Sequence, residues 1–127
     1  MKVILDTNAL MAIEQFGVDI FSELQRLGYD QCMVPTSVLA ELENLAAKAD
    51  KGGDKIAARV ALELAKRCSV VGKVGMDADM DVEKLALSRG AAVFTNDKVL
   101  KKRLFSNGIT VIYLRQGRYL EATKKEF

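Results

Sequence analysis

Histidine is absent from this 127-residue chain, and that absence removes more chemistry than any other feature of the composition. Without imidazole there is no Ser-His-Asp or Cys-His nucleophile activation, no histidine acid–base relay and no usual zinc site. A hydrolytic activity must then work through carboxylates, lysine, tyrosine or a metal held by oxygen ligands. Cysteine is scarce: Cys32 and Cys68 are the two present. They lack metal-ligand spacing and read as small buried apolar residues, with a disulfide between them left open. No apolar run reaches the roughly 18 residues that would span a bilayer. The opening stretch meets Asp6 after three apolar residues, too soon for a signal-peptide core, so the expected location is cytoplasmic, with no membrane partner. A formal charge of +2 neither requires nor forbids a nucleic-acid partner, and local patches must decide.

What is present is ordinary globular composition, half apolar and 28% charged, of a size for one hydrophobic core. The expectation is one domain over 1–127, with a polar tail from about residue 115. Val3-Ile4-Leu5 is a short continuous apolar run, as in a buried parallel strand. Helical spacings follow over Ala9–Phe16 and Ile20–Leu27, the second ended by Gly28. Cys32-Met33-Val34 reads as a strand stopped at Pro35, and Thr36 as the N-cap of a helix to about Ala49. The stretch Lys48–Asp54, with Gly52-Gly53, reads as a loop. Asp54 is expected to cap a helix to about Cys68, with Ile56, Val60 and Leu64 in register. Val70-Val71 is a third strand, Asp77 to Asp81 an acidic turn, and Val82–Arg89 a helix stopped by Gly90. Ala91–Thr95 is a fourth strand. Lys98–Ser106 is a helix with Val99, Leu100 and Leu104 inward, and Ile109–Leu114 is the last strand. Strands alternating with helices mean an α/β fold with a mainly parallel sheet and right-handed crossovers.

The acids fall where such a fold places its sites. Asp6 follows the first strand and Asp97 the fourth, and ligands bind beyond the carboxyl ends of strands in open α/β sheets. Either can also serve as a helix cap. Glu41 lies three residues after Val38 and four before Leu45, so it leans toward an apolar face, where a charge needs a partner or a cation. Asp77, Asp79 and Asp81 precede a helix, where negative charge is favourable in itself. Carboxylates gathered at one sheet edge repel one another, and Mg²⁺ or Mn²⁺ would resolve that repulsion through oxygen ligands. Such an ion activates water and polarises a phosphoryl oxygen. That chemistry suits phosphodiester hydrolysis without histidine.

Val3-Ile4-Leu5-Asp6-Thr7-Asn8 resembles the opening motif of PIN domains. Val34 to Leu42 resembles their second motif, with its acid on Glu41. Asp79 to Asp97, including Phe94-Thr95-Asn96-Asp97, resembles the third and fourth. The resemblance covers nearly the whole chain, and four motifs in order are far more specific than one. It implies a three-layer α/β/α sandwich and a divalent-metal-dependent ribonuclease. In it Asp6, Glu41 and Asp79 bind the ion, Asp97 completes the shell or a second site, and Asn8, Thr95 and Asn96 support them. Asp81 departs from the pattern, as a substitute for Asp79 or a ligand of a second metal. Within the family, Glu41-Leu42-Glu43, Arg59 to Lys66, Ile112-Tyr113-Leu114 and Arg118-Tyr119 look like the processome nucleases and their single-domain archaeal relatives. These imply precursor ribosomal RNA as partner. VapC-type toxins share the acids and the length, and imply an antitoxin partner instead. A silent RNA-binding or scaffold protein is the third reading, and homodimerisation is a family expectation.

For RNA contact, Lys98, Lys101 and Lys102 share a helix face that Arg103 adjoins, and Arg115, Arg118, Lys124 and Lys125 extend the basic character. Tyr119 is placed between stacking on a base and packing on the body. A haloacid-dehalogenase phosphatase needs a second Asp where Asn8 stands, and Asn8 cannot act as its acid. A phosphoacceptor receiver domain gives Glu41 and the Asp79 cluster no task.

Overall fold

The first strand, β1 (Lys2–Leu5), sits at the centre of a six-stranded sheet, and Val3, Ile4 and Leu5 are all fully buried. A strand with neighbours on both edges and helices over both faces has no use for alternating polar residues, which explains the unbroken apolar run. The structure, a computed structural model, describes residues 1–48, 52–73 and 78–123, with the backbone alone at 52, 53, 78 and 79. The other strands are β2 (Gln31–Pro35), β3 (Ser69–Val71), β4 (Ala92–Phe94), β5 (Val111–Arg115) and β6 (Tyr119–Ala122). The helices are α1 (Thr7–Phe16), α2 (Ile20–Arg26), α3 (Thr36–Lys48), α4 (Gly52–Ala65), α5 (Ala78–Arg89) and α6 (Lys98–Ser106).

The strand order is β3-β2-β1-β4-β5-β6, parallel throughout except for β6, which pairs antiparallel with β5. This is the expected α/β/α arrangement. Helices α1, α3 and α4 pack on one another, while α5 lies against β1, β2 and β4 and α6 against β5. Chain direction along the sheet reverses between β1 and β4, so the switch point where such sheets open a crevice lies at the ends of these two strands.

Several sequence expectations change. The polar tail from about residue 115 gives way, as far as Thr123, to a hairpin. Gln116 (φ 55°) and Gly117 (φ 64°) turn the chain in the left-handed region, and Arg118 N–H donates to the Arg115 carbonyl at 3.1 Å. A Cβ on Gly117 would stand 2.8 Å from the Phe16 ring, so both the backbone conformation and the close approach call for glycine. The outer edge of β6 is covered at Leu120. Its N–H donates to Glu23 Oε1 at 3.0 Å and its carbonyl accepts from Arg26 Nη2 at 2.7 Å, while Glu23 and Arg26 pair with each other. A short hairpin whose edge groups are claimed by a neighbouring helix is protected from pairing with other chains.

Helix α4 begins at Gly52, inside the expected loop, so Asp54 lies in its first turn; residues 49–51 of that loop lie outside the described residues. The helix buries Ala57, Ala58, Ala61 and Ala65, leaving Ile56 52% exposed and Val60 and Leu64 half-buried. It lies against both α1 and α3, and alanines admit the close approach that larger side chains would block. In α6, Leu100 and Leu104 are buried as expected but Val99 is 78% exposed. Thr36 does not cap: it is the first helical residue of α3, and its hydroxyl donates to the carbonyls of Val71 and Gly72, tying α3 to the end of β3. Cys32 and Cys68 are free thiols. Burial, then the neighbouring Cys32 thiol, push the Cys68 thiol up, so it stays protonated. Among the described residues no helix is long and apolar enough to cross a membrane.

Candidate active site at the carboxyl edge of the sheet

Asp6 leaves β1 and caps α1, with its Oδ1 accepting the Thr7 N–H at 2.9 Å. Its backbone N–H donates to the Phe94 carbonyl at 3.0 Å, which continues the β1–β4 ladder by one bond. The chain leaving β4 reaches back. Thr95, fully buried, donates its hydroxyl to Asp6 Oδ2 at 2.8 Å and lies 3.3 Å from Asn8 Oδ1. Asn8 Oδ1 accepts the Asn96 N–H at 3.2 Å, and Asn96 Oδ1 in turn accepts the Leu114 N–H at 2.8 Å. Asp97 N–H donates to Thr95 Oγ1 at 3.1 Å. The Asp97 carboxylate caps α6, and both cap bonds, from Val99 and Leu100 N–H, fall on Oδ1. Oδ2 is thereby left to other partners.

Asp6 and Asp97 are thus helix caps and neighbours through Thr95 at the switch point. Thr95 donates to the Asp6 carboxylate and accepts the Asp97 backbone N–H, so it ties Asp6 to the residue that caps α6. Asp6 is 4% exposed. A carboxylate so buried is costly unless hydrogen bonds or a cation compensate it. Thr7 is also buried, and its hydroxyl has no hydrogen-bond partner among the described residues. Nothing in the sequence distinguished Thr7 from any first helical residue.

The acids on the other half sit differently. Glu41 is exposed on α3. Val38 and Leu42 are buried and Leu45 half-buried, so the expected lean toward the apolar face ends with the carboxylate in reach of water. The turn expected at Asp77 to Asp81 is helical from Ala78 onward. Asp77 and the side chain of Asp79 lie outside the described residues. Asp81 is 4% exposed and accepts the Ser37 hydroxyl at 2.7 Å. Gly72, in the left-handed region at φ 88°, passes so close that a Cβ there would meet Asp81 Oδ2 at 3.2 Å. Asp81 therefore binds α5 to the start of α3 and lies close beside the chain just after β3. Sequence reasoning missed Ser37; the only signal was its place one turn before Glu41. Among the described residues, no three Asp, Glu or Cys side chains form a group that could hold a metal ion.

The basic residues divide as well. Lys98 and Lys102 are exposed, and the Lys101 ammonium lies 3.5 Å from the centroid of the Tyr113 ring. Arg103, in the expected RNA-binding set, pairs with Glu83 at 2.8 Å and so ties α6 to α5. Asn107 reinforces that tie, donating to Glu83 at 2.6 Å. Arg118 lies in the β5–β6 turn beside the α1–α2 connection, away from the α6 lysines. Lys124 and Lys125 lie outside the described residues.

A family model described as a PIN like domain matches residues 3–117. The chain belongs to the PIN-like domain family. Within that family it is 33% identical to ribonuclease VapC9 of Archaeoglobus fulgidus over 91% of this chain and 84% of the relative. It is 31% identical to ribonuclease VapC4 of Methanocaldococcus jannaschii over 94% of this chain and 95% of that one. The structure superimposes on the PIN domain endonuclease Utp24 with a TM-score of 0.79 and 27% identity, covering 98% of this chain and 92% of that one. Nucleases of this family are generally dependent on divalent metal, as the resemblance implied.

Proposed function

We propose that this PIN-like chain is a divalent-metal-dependent ribonuclease that hydrolyses an RNA phosphodiester at the β1–β4 switch point. The observation that carries the reading is the Asp6–Thr95–Asp97 linkage, which holds two acidic residues side by side at the place where an open α/β sheet opens its crevice. Membership of the family and two ribonuclease relatives along almost the whole chain support it.

The residues present suit a hard cation. The candidate donors are carboxylate oxygens, the chain has no histidine, and the unpartnered Thr7 hydroxyl lies next to Asp6. Asp6, Glu41, Asp79 and Asp97 would hold Mg²⁺ or Mn²⁺, which supplies an activated water and a polarised phosphoryl oxygen when bound. Thr95 keeps Asp6 and Asp97 in register through its single hydroxyl. Asn8 and Asn96 hold the β4–α6 turn against α1 and β5. Asp97, with Oδ2 outside its cap bonds, is placed to accept a hydrogen bond from water. Asp81 acts as a clasp between α3 and α5. Lys98 and Lys102 neutralise the phosphates that flank the cleaved bond.

Precursor ribosomal RNA is the proposed substrate, on the resemblance of Glu41-Leu42-Glu43 and Ile112-Tyr113-Leu114 to the processome nucleases, with the likeness to the endonuclease Utp24 across 98% of the chain in support of an endonuclease. A second reading, a toxin ribonuclease held by an antitoxin, is favoured by the VapC names of both curated relatives. Cleavage of structured ribosomal RNA and of a mixed RNA pool, each with Mn²⁺, Mg²⁺ or EDTA, tests both. Metal-dependent cutting confined to ribosomal RNA is the expected result. Cutting confined to other RNAs selects the toxin reading, and RNA binding without cutting by any metal overturns the nuclease.

A further inference from the structure

Lys98, Lys101, Lys102 and Phe105 recur at i, i+3, i+4 and i+7, so they line one face of α6. That face looks across at the β5–β6 hairpin, and between them runs a trough of about 640 Å³, walled on the hairpin side by Tyr113, Glu121, Ala122 and Thr123. The volume lies within the roughly 300–1,000 Å³ of small-ligand sites. The trough starts at Lys98, the residue after Asp97, and so leads away from the candidate active site.

We propose that this trough is a subsite for one unpaired RNA nucleotide, its base stacked on Phe105 and its phosphate held between Lys98 and Lys102. This rests on the ribonuclease reading and adds to it a seat for the strand next to the cleaved bond.

Charge argues for a polyanion. Among the described residues three lysines line the trough against one carboxylate, Glu121, which pairs with Arg115 at 2.5 Å and accepts the Tyr113 hydroxyl at 2.8 Å. Aromatic surface argues for a base. Tyr113 has its ring face covered by Lys101 and becomes floor, whereas Phe105 is 44% exposed, at an energetic cost that a stacked base would recover. An extended peptide pairing with β6 fits less well, because the outer N–H and carbonyl of Leu120 already bond to Glu23 and Arg26.

The test uses the full chain carrying Asp6→Asn, so that RNA is bound without being consumed. A single abasic position is moved along a short unpaired RNA, and affinity is read by fluorescence anisotropy. One position is expected to weaken binding about tenfold when its base is removed. Phe105→Ala should erase that dependence, and Phe105→Leu, which keeps apolar bulk without the ring, should erase it too while leaving the thermal melt unchanged. A flat abasic profile, or a full penalty that persists in both Phe105 variants, overturns the subsite and leaves the trough to a peptide. If the wild-type chain nevertheless cleaves RNA, the subsite alone has failed. If no variant binds RNA and the wild type cleaves none, the ribonuclease reading fails first and the subsite with it.

Discussion

At the β1–β4 junction, Asp6, Asn8, Thr95, Asn96 and Asp97 are bound to one another by hydrogen bonds of 2.8–3.3 Å, and two of them cap helices. Between α3 and α5, one buried bond, Ser37 to Asp81, is the side-chain hydrogen bond shown among the described residues, and Glu41 stands exposed one turn along α3. The first half is organised before any ligand arrives, so its geometry costs nothing at the moment of reaction. The second half keeps its clasp, Asp81, apart from its solvent-facing acid, Glu41. Asp81 is buried on a hydrogen bond within the fold, whereas Glu41 stands at the solvent-exposed surface of α3.

The largest effect is expected at the organised half. Asp6→Asn should reduce RNA cleavage by a factor of about 10³ or more, since several kcal/mol of charge stabilisation goes with a ligand of the metal. The fold should stay intact by circular dichroism, and unchanged cleavage would remove the junction from the mechanism. Thr95→Val comes next. It keeps the shape but removes the hydroxyl that bonds Asp6 Oδ2 and the Asp97 N–H, for a loss of about 1–3 kcal/mol in urea unfolding. Cleavage should fall about 10–100-fold, as for groups that orient a metal ligand. Full activity in a destabilised Thr95→Val protein would show that the junction's order serves the fold alone.

Asp81→Ala probes the other half. Loss of a buried, charge-assisted bond should lower stability by about 2 kcal/mol, while cleavage by the folded fraction stays near wild type. The reverse pattern, an unchanged melt with cleavage abolished, would make Asp81 a metal ligand and erase the contrast between the halves. The smallest effect lies far from both, at the β6 edge. The Arg26 guanidinium, then the Leu120 N–H, hold the Glu23 carboxyl below its ordinary value of 4.5. Its contribution to stability is therefore complete above that value and is lost as pH falls through the lowered folded value. Glu23→Gln should lower the melting temperature slightly near neutral pH and flatten its fall in acid. An identical acid limb in the variant would mean that Glu23 does not secure the hairpin.

Much of the site was legible because Asp6 and Asp97 each follow a strand and cap a helix, and strand ends are marked by abrupt changes from apolar to polar residues. Asp6 and Asp97 could be placed at one sheet edge from the strands read over Val3-Ile4-Leu5 and Ala91–Thr95. The role of Arg103 was not legible, since its partner Glu83 is far along the chain and an exposed arginine on a basic helix looks the same paired or free. Nor was the burial of Asp81, which depends on Ser37 and Gly72 from two other elements. The alanine face of α4 was hidden for a related reason: periodicity rewards large apolar side chains, whereas the gap between α1 and α3 selects small ones.

The sequence by itself determined the alternation of strands and helices, the central buried strand, the exclusion of histidine chemistry and the acids offered at the sheet edge. These are local properties, set by side-chain period, capping and composition. Only the tertiary structure decided that Thr95 ties the Asp6 carboxylate to the start of α6, that Asp81 is a clasp, that the chain returns as β6 over Tyr119–Ala122, and that Phe105 stands open beside three lysines. Each of these depends on which distant segments the packing brings together, and no local pattern encodes that.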